Sequence, residues 1–150
     1  MNMNVFSKLA LLAALGLGFG VSAQAAVLNV ANGITTADCE VLGDAVKPSL
    51  SKNVVLAYSC NKDQNLVKVA SCHQFGSRKI ETVACASTGT DPNTGDPIWN
   101  NSSCTATTDT FKTGNFGKAF VGSSSGGSVA AADLSAACDA AGGPLNTHVQ

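Results

Sequence analysis

Val54-Val55-Leu56-Ala57-Tyr58-Ser59-Cys60 is followed by Leu66-Val67-Lys68-Val69-Ala70-Ser71-Cys72 and by Lys79-Ile80-Glu81-Thr82-Val83-Ala84-Cys85, three strand-length runs that each end in cysteine. β-Branched residues favour extended backbone, and the separators Asn61–Asn65 and His73–Arg78 are turn-rich, so the pattern predicts three consecutive antiparallel strands. Counting back from each cysteine, Val55, Ala57 and Ser59, then Val67, Val69 and Ser71, then Ile80, Thr82 and Ala84 form a small, mostly apolar face expected to look into the core. Lys68 and Glu81 mark the other face as partly solvated, and they are expected to form an exposed pair across adjacent strands, worth about 0–1 kcal/mol.

Working outward, the chain begins with Lys8 ahead of an apolar run from Leu9 to Val21, ended by Ser22-Ala23-Gln24-Ala25. Small residues at Ala23 and Ala25 fit the cleavage rule of a secretory signal peptide, which assigns residues 1–25 to a leader and 26–150 to a single disulfide-rich β domain. The apolar run falls short of the roughly 20 residues that span a bilayer and contains Gly16, Gly18 and Gly20, which argues against a retained anchor. No membrane association is expected after cleavage. Removing Lys8, the one charged residue of the leader, leaves eight basic against ten acidic residues, a formal charge of −2. That balance speaks against a nucleic-acid partner, whose phosphates require a basic patch.

Aromatic residues are scarce, with one Trp, one Tyr and six Phe, so the core must be built from small aliphatics and is expected to be thin. Six cysteines compensate: Cys39, Cys60, Cys72, Cys85, Cys104 and Cys138, an even number in a chain read as exported. Three disulfides are expected. No pair has zinc-knuckle spacing, and the two histidines, His73 and His148, lie far apart. In a three-stranded meander Cys60 and Cys85 stand two strand spacings apart, roughly 9–10 Å, beyond disulfide reach, while Cys72 lies at the opposite end. Each of the three must then pair with Cys39, Cys104 or Cys138. That leaves six of the fifteen possible pairings, of which the set preferred for its short loops is Cys39–Cys60, Cys85–Cys104 and Cys72–Cys138.

Ala26-Val27-Leu28-Asn29-Val30 reads as a short terminal strand before the turn-like Asn32-Gly33. It pairs either within its own domain or, donated, with the open sheet of a neighbouring copy, in which case Val27, Leu28 and Val30 are the assembly residues. Ala86–Ser103 is a long polar insertion that a Cys85–Cys104 bond would close, with Trp99 as its anchor. Lys118-Ala119-Phe120-Val121 reads as a further strand, and Gly122–Ser128 as a flexible link. Val129–Ala141 is alanine-rich, with Leu134 and Cys138 four apart, and Gly142-Gly143-Pro144 reads as its stop, so one C-terminal helix stapled through Cys138 is expected.

Candidate chemistry is sparse. Asp91-Pro92-Asn93-Thr94-Gly95-Asp96 partly matches a calcium loop, with Asp91, Asn93 and Asp96 as the candidate ligands, but ordinary turn chemistry explains the same residues. Asn100 and Asn101 each begin an N-x-Ser sequon. No serine occupies a nucleophile elbow, His148 falls in an apparent tail, and no cofactor motif is present, so the chain is read as non-catalytic and without a cofactor. The expected fold is mainly β: a small disulfide-stapled antiparallel sheet or sandwich with one short C-terminal helix. The expected function is a secreted structural or adhesive protein, a self-assembling extracellular filament subunit whose partner is a second copy of itself. The alternative is a small periplasmic or secreted ligand-binding module that uses the 86–103 loop, with Trp99 and Phe75 as contact residues.

Overall fold

The structure is a computed structural model that describes Ala26, Val27 and residues 33–150. The leader assigned to residues 1–25, and Leu28 and Val30 of the assembly segment, lie outside the described residues. The fold is mainly β, as the sequence predicts. Its centre is the hairpin of β2 (Val54–Asn61) and β3 (Leu66–His73), paired without interruption from Val54↔His73 to Asn61↔Leu66. The turn is built by asparagines: the Asn61 side chain accepts the Gln64 N–H at 3.0 Å, and Asn65 takes a φ of 50°, a left-handed conformation that asparagine tolerates.

That turn sets a register different from the one drawn by aligning the two runs on their cysteines. Val55 stands opposite Cys72 and Ala57 opposite Ala70, so Val55, Ala57 and Ser59 share a face with Lys68, Ala70 and Cys72. Val67, Val69 and Ser71 lie on the other face. Side chains alternate with a period of two, so an odd offset moves a whole strand's set to the opposite side. Neither face of the hairpin is simply solvated.

The third run does not join this sheet. Only Thr82–Ala84 (β4) is a strand, and it pairs with β7 (Thr110–Lys112) in a separate two-stranded sheet. Lys79 and Glu81 flank Ile80, which is 58% exposed, so the first half of the run has little apolar surface to bury. The place beside β3 goes instead to β8 (Lys118–Ser123), with Ala70↔Val121 and Ser71↔Phe120 opposed. Lys68 and Glu81 are therefore not neighbours: the Lys68 ammonium donates to the Gln150 main-chain oxygen at 2.7 Å, and Glu81 pairs with Lys118. The main sheet is completed by β9 (Val129–Asp133) beside β8 and by β1 (Ala26–Val27) beside β2, in the antiparallel order β1-β2-β3-β8-β9.

The alanine-rich segment is thus strand at its start, not helix. Gly127, at a φ of 67°, turns the chain back so that Ala132 packs opposite Ala119, both fully buried; pairing with β8 overrides alanine's helical preference. The C-terminal helical turn lies further on. Gly142 at a φ of 65° leads into a 3-10 turn over Gly143–Leu145, continued by α1 (Asn146–Val149). Gly-Gly-Pro, read as a stop, is a start, because proline's fixed φ and missing N–H suit the first helical turn.

Two cores flank the main sheet. On one face Val55, Ala57, Ala70, Cys72, Ala119, Val121 and Ala132 pack with Leu134, Cys138, Leu145 and Val149. On the other, Tyr58, Leu56, Val67 and Val69 pack with Ile34, Cys39, Val41, Leu42 and Leu50. Each cover is tied covalently: Cys39–Cys60 (Cα–Cα 5.5 Å) on the second face and Cys72–Cys138 (6.0 Å) on the first. Cys85–Cys104 (5.7 Å) anchors a third cluster with Phe111, Val83 and Trp99. These are the three bonds of the set preferred from the sequence, although the three-stranded meander used to narrow the pairings does not form.

The 86–103 insertion is a hairpin of β5 (Ser87–Thr90) and β6 (Pro97–Trp99). The Gly122–Ser128 segment, expected to be a flexible link, is instead the docked turn between β8 and β9. Ser123 Oγ donates to Thr88 O at 3.0 Å, Ser125 Oγ accepts from Thr90 N–H at 3.0 Å, and Ser128 Oγ donates to Ser87 O at 2.9 Å. Serines suit this contact because each satisfies a backbone group of β5 that no strand pairs.

The contact closes through two glycines. A Cβ on Gly126 would lie 2.4 Å from Gly89 Cα and 2.5 Å from Thr88 O. Gly126→Ala is expected to cost about 1–3 kcal/mol in urea unfolding, against about 0.5 kcal/mol or less for Gly43→Ala, where a Cβ meets open space. Removing the Cys72–Cys138 bond as a paired alanine variant is expected to cost about 4 kcal/mol, since it closes a 66-residue separation, against about 3 kcal/mol for Cys85–Cys104 with 19. A reversed order in denaturant midpoints would show that the bonds act through the native state and not through loop closure.

Candidate functional site

A cleft of about 540 Å³ opens where the first core face ends. Its floor is Lys68, Val121 and Ser123, which share that face because β3 and β8 pair Lys68 with Ser123. One wall is the end of the β5–β6 hairpin with the residues after it, from Ile98 to Ser102. The opposite wall is α1, through Thr147 and His148, together with Gln150, and Asp133 at the end of β9 closes the side.

The polar groups are held by one another. Asn101 Nδ2 donates to Asp133 Oδ1, leaving Oδ2 without a protein partner among the described residues. His148 Nε2 lies 2.8 Å from Asp133 O. A carbonyl only accepts, so the imidazole donates from Nε2 in this contact. Lys68 spends one of its donors on Gln150 O. Asn100, 2% exposed, is a structural bracket: its amide donates to Ala84 O at 3.1 Å and Ala131 O at 2.7 Å and accepts the Ala86 N–H at 2.9 Å, joining the hairpin, β4 and β9. The asparagine of the first sequon is therefore buried, and that of the second is bonded to Asp133.

Of the residues named from sequence, Trp99 is brought to this cleft, where it also packs on the Cys85–Cys104 cluster. Phe75 is not. It is 78% exposed in the turn after β3, its N–H donating to His73 Nδ1 at 3.1 Å and its ring edge-on to His73 with centroids 6.3 Å apart. The structure does not join Trp99 and Phe75 in one site. Val27 pairs with Ala57 at the sheet edge. Asp91 closes its own turn, Oδ1 accepting the Asn93 N–H at 2.8 Å and the Thr94 N–H at 3.2 Å, while Asn93 and Asp96 are exposed. No group of three metal-ligating side chains occurs among the described residues.

Sequence reasoning missed Lys68, Asp133 and His148 as one site because they come from three distant segments. A signal for His148 was present: Leu145 and Val149, four apart, are the spacing of a helical turn that buries one side, and both are fully buried. Ser59 Oγ donates to Val149 O, fixing the segment to β2.

No family model, curated protein or solved structure matches the chain.

Charges away from the cleft serve the loops. Asp109 Oδ2 accepts from Thr105 N–H, Thr105 Oγ1–H and Ala106 N–H, and these bonds, led by the Thr105 N–H, lower its pKa. Asp38 is lowered likewise, first by the Thr35 hydroxyl and then by its N–H. A carboxyl lowered in the folded state contributes stability that is fully present above its unfolded value of 3.8 and is lost as pH falls through the lowered value. The melting temperature is therefore expected to fall on acidification from about 3.8 down to the lowered value, and the fall to be shallower in Asp109→Asn. An unchanged pH profile in the variant would show that Asp109 carries none of this linkage.

Proposed function

We propose that the chain is a secreted, non-catalytic structural or adhesive subunit that associates with its own copies through its N-terminal segment. Three disulfides fit an oxidising compartment, and no described helix is long and apolar enough to cross a membrane. The observation that carries the reading is at the sheet edge. β1, Ala26–Val27, whose first residue follows the expected leader cut, pairs antiparallel with the eight-residue β2 through Tyr58 and Ala57. Among the described residues this terminal strand forms one edge of the main sheet.

Such an edge is a template for pairing. A terminal strand that pairs antiparallel with it makes the same main-chain bonds whether it comes from its own domain or from a neighbour, so exchange between copies costs few contacts. Ala26 packs into the Tyr58 core, which would make an exchanged segment specific.

The test is the mature protein, 26–150, followed by light scattering at rising concentration and by electron microscopy. Oligomers or fibres that disappear when residues 26–32 are deleted support the reading, and a monomer at every concentration overturns it. Burial raises the pKa of Tyr58, the sole tyrosine, with the Asp38 charge adding to it. Ultraviolet titration of the deleted form is therefore expected to bring Tyr58 back towards its usual 10.0. A phenol that titrates as before would show that the segment does not cover it.

A further inference from the structure

We infer that the 540 Å³ cleft between α1 and the β5–β6 hairpin is a binding site for a neutral, polyhydroxylated ligand of the size of one or two sugar rings. The volume lies in the range of small-molecule sites, roughly 300–1,000 Å³. Its lining has the composition such a ligand needs. Trp99 supplies a flat apolar surface for the C–H face of a sugar ring, and its position is fixed by packing on the Cys85–Cys104 cluster. Around it stand groups that pair with hydroxyls in both senses. The Oδ2 of Asp133, without a protein partner among the described residues, accepts, the remaining Lys68 donors give, and the His148 imidazole stands beside them.

The charges decide against an ionic ligand. Lys68 and Asp133 are the two formally charged side chains in the lining, of opposite sign, and Lys68 is already turned onto Gln150 O. Neither a lone anion nor a lone cation is matched there. The prior bonds Asn101–Asp133 and His148–Asp133 hold both side chains in place before any ligand arrives, which limits the ordering cost of binding. The inference goes beyond the assembly reading, since a copy that cannot exchange its N-terminal strand still carries the whole cleft.

Trp99 is the only tryptophan of the chain, so intrinsic tryptophan fluorescence reports this site alone. Mature protein is titrated with glucose, galactose, mannose, N-acetylglucosamine and the β-1,4-linked disaccharides of glucose and N-acetylglucosamine, with calorimetry in parallel. At least one of these is expected to shift the emission saturably in the millimolar range. Asp133→Asn keeps the bond from Asn101 but replaces the free acceptor by a donor or a weaker acceptor, and it is expected to weaken that binding about tenfold. Trp99→Phe, followed by calorimetry, is expected to weaken it by a similar factor, while Phe75→Ala, which alters the exposed ring outside the cleft, leaves it unchanged. Circular dichroism checks the fold of each variant, and Asp133→Asn decides if Trp99→Phe does not fold. No saturable response to any of these sugars overturns the inference, as does a response to zwitterionic amino acids alone, or sugar binding that Asp133→Asn leaves unchanged. Loss of assembly without loss of sugar binding bears on the N-terminal segment only.

Discussion

Everything in this fold depends on the β2–β3 hairpin being covered on both faces by segments that do not belong to its sheet. The hairpin itself offers small side chains, alanines and valines, whose burial yields less per residue than leucines or aromatics would. A single layer of such residues would leave a marginal domain. The cysteines resolve this because the register places them on opposite faces, Cys60 with Tyr58 and Cys72 with Ala70. Cys39 brings the 33–50 segment onto one side, and Cys138 brings the C-terminal segment onto the other. The sheet is thin, and the covers are fastened to it.

The strands that complete the sheet follow from the same demand for close approach. Ala119 on β8 and Ala132 on β9 are both fully buried, and Gly126 lies against Gly89 with no room for a Cβ. Small residues here let backbone elements meet directly, so that the serines of the β8–β9 turn can satisfy β5 through their hydroxyls. A segment rich in glycine and serine is usually a linker because its backbone finds no partners. In this chain the partners exist, and the same composition makes an interface.

How much of this was legible depends on how local the determinant was. The strand character of Val54–Cys60 and Leu66–Cys72 is written in their own β-branched residues, whereas the disulfide pairs were only narrowed, by loop lengths and by a three-stranded meander that does not form. The relative facing of the two strands was not legible, because one residue in the turn inverts it and the turn chemistry of Asn61 and Asn65 acts through φ and a side-chain bond that composition does not display. The partner of β3 was less legible still. Lys79–Cys85 and Lys118–Val121 both read as strands, and the choice between them rests on the fit of β8 beside β3, with Val121 opposite Ala70, a contact between segments about 50 residues apart. Trp99 could be singled out as an anchor from its rarity. The side chains that share its cleft could not, since Lys68, Asp133 and His148 meet only once the sheet order and the C-terminal turn are known.

That C-terminal turn links the two halves of the argument. α1 has four residues, too few to be stable alone, and it exists because Leu145 and Val149 are buried in the first core and Ser59 holds the Val149 carbonyl. Its other side presents Thr147 and His148 to the cleft, with Gln150 beyond them taking the Lys68 ammonium. The wall of the cleft is therefore the outer surface of the core's own cover. Cys72–Cys138 constrains the chain just ahead of this turn, so the bond that most restricts the unfolded chain also limits how far the wall can move from the sheet. In a domain this thin, the rigidity of the cleft is a consequence of how the core is closed.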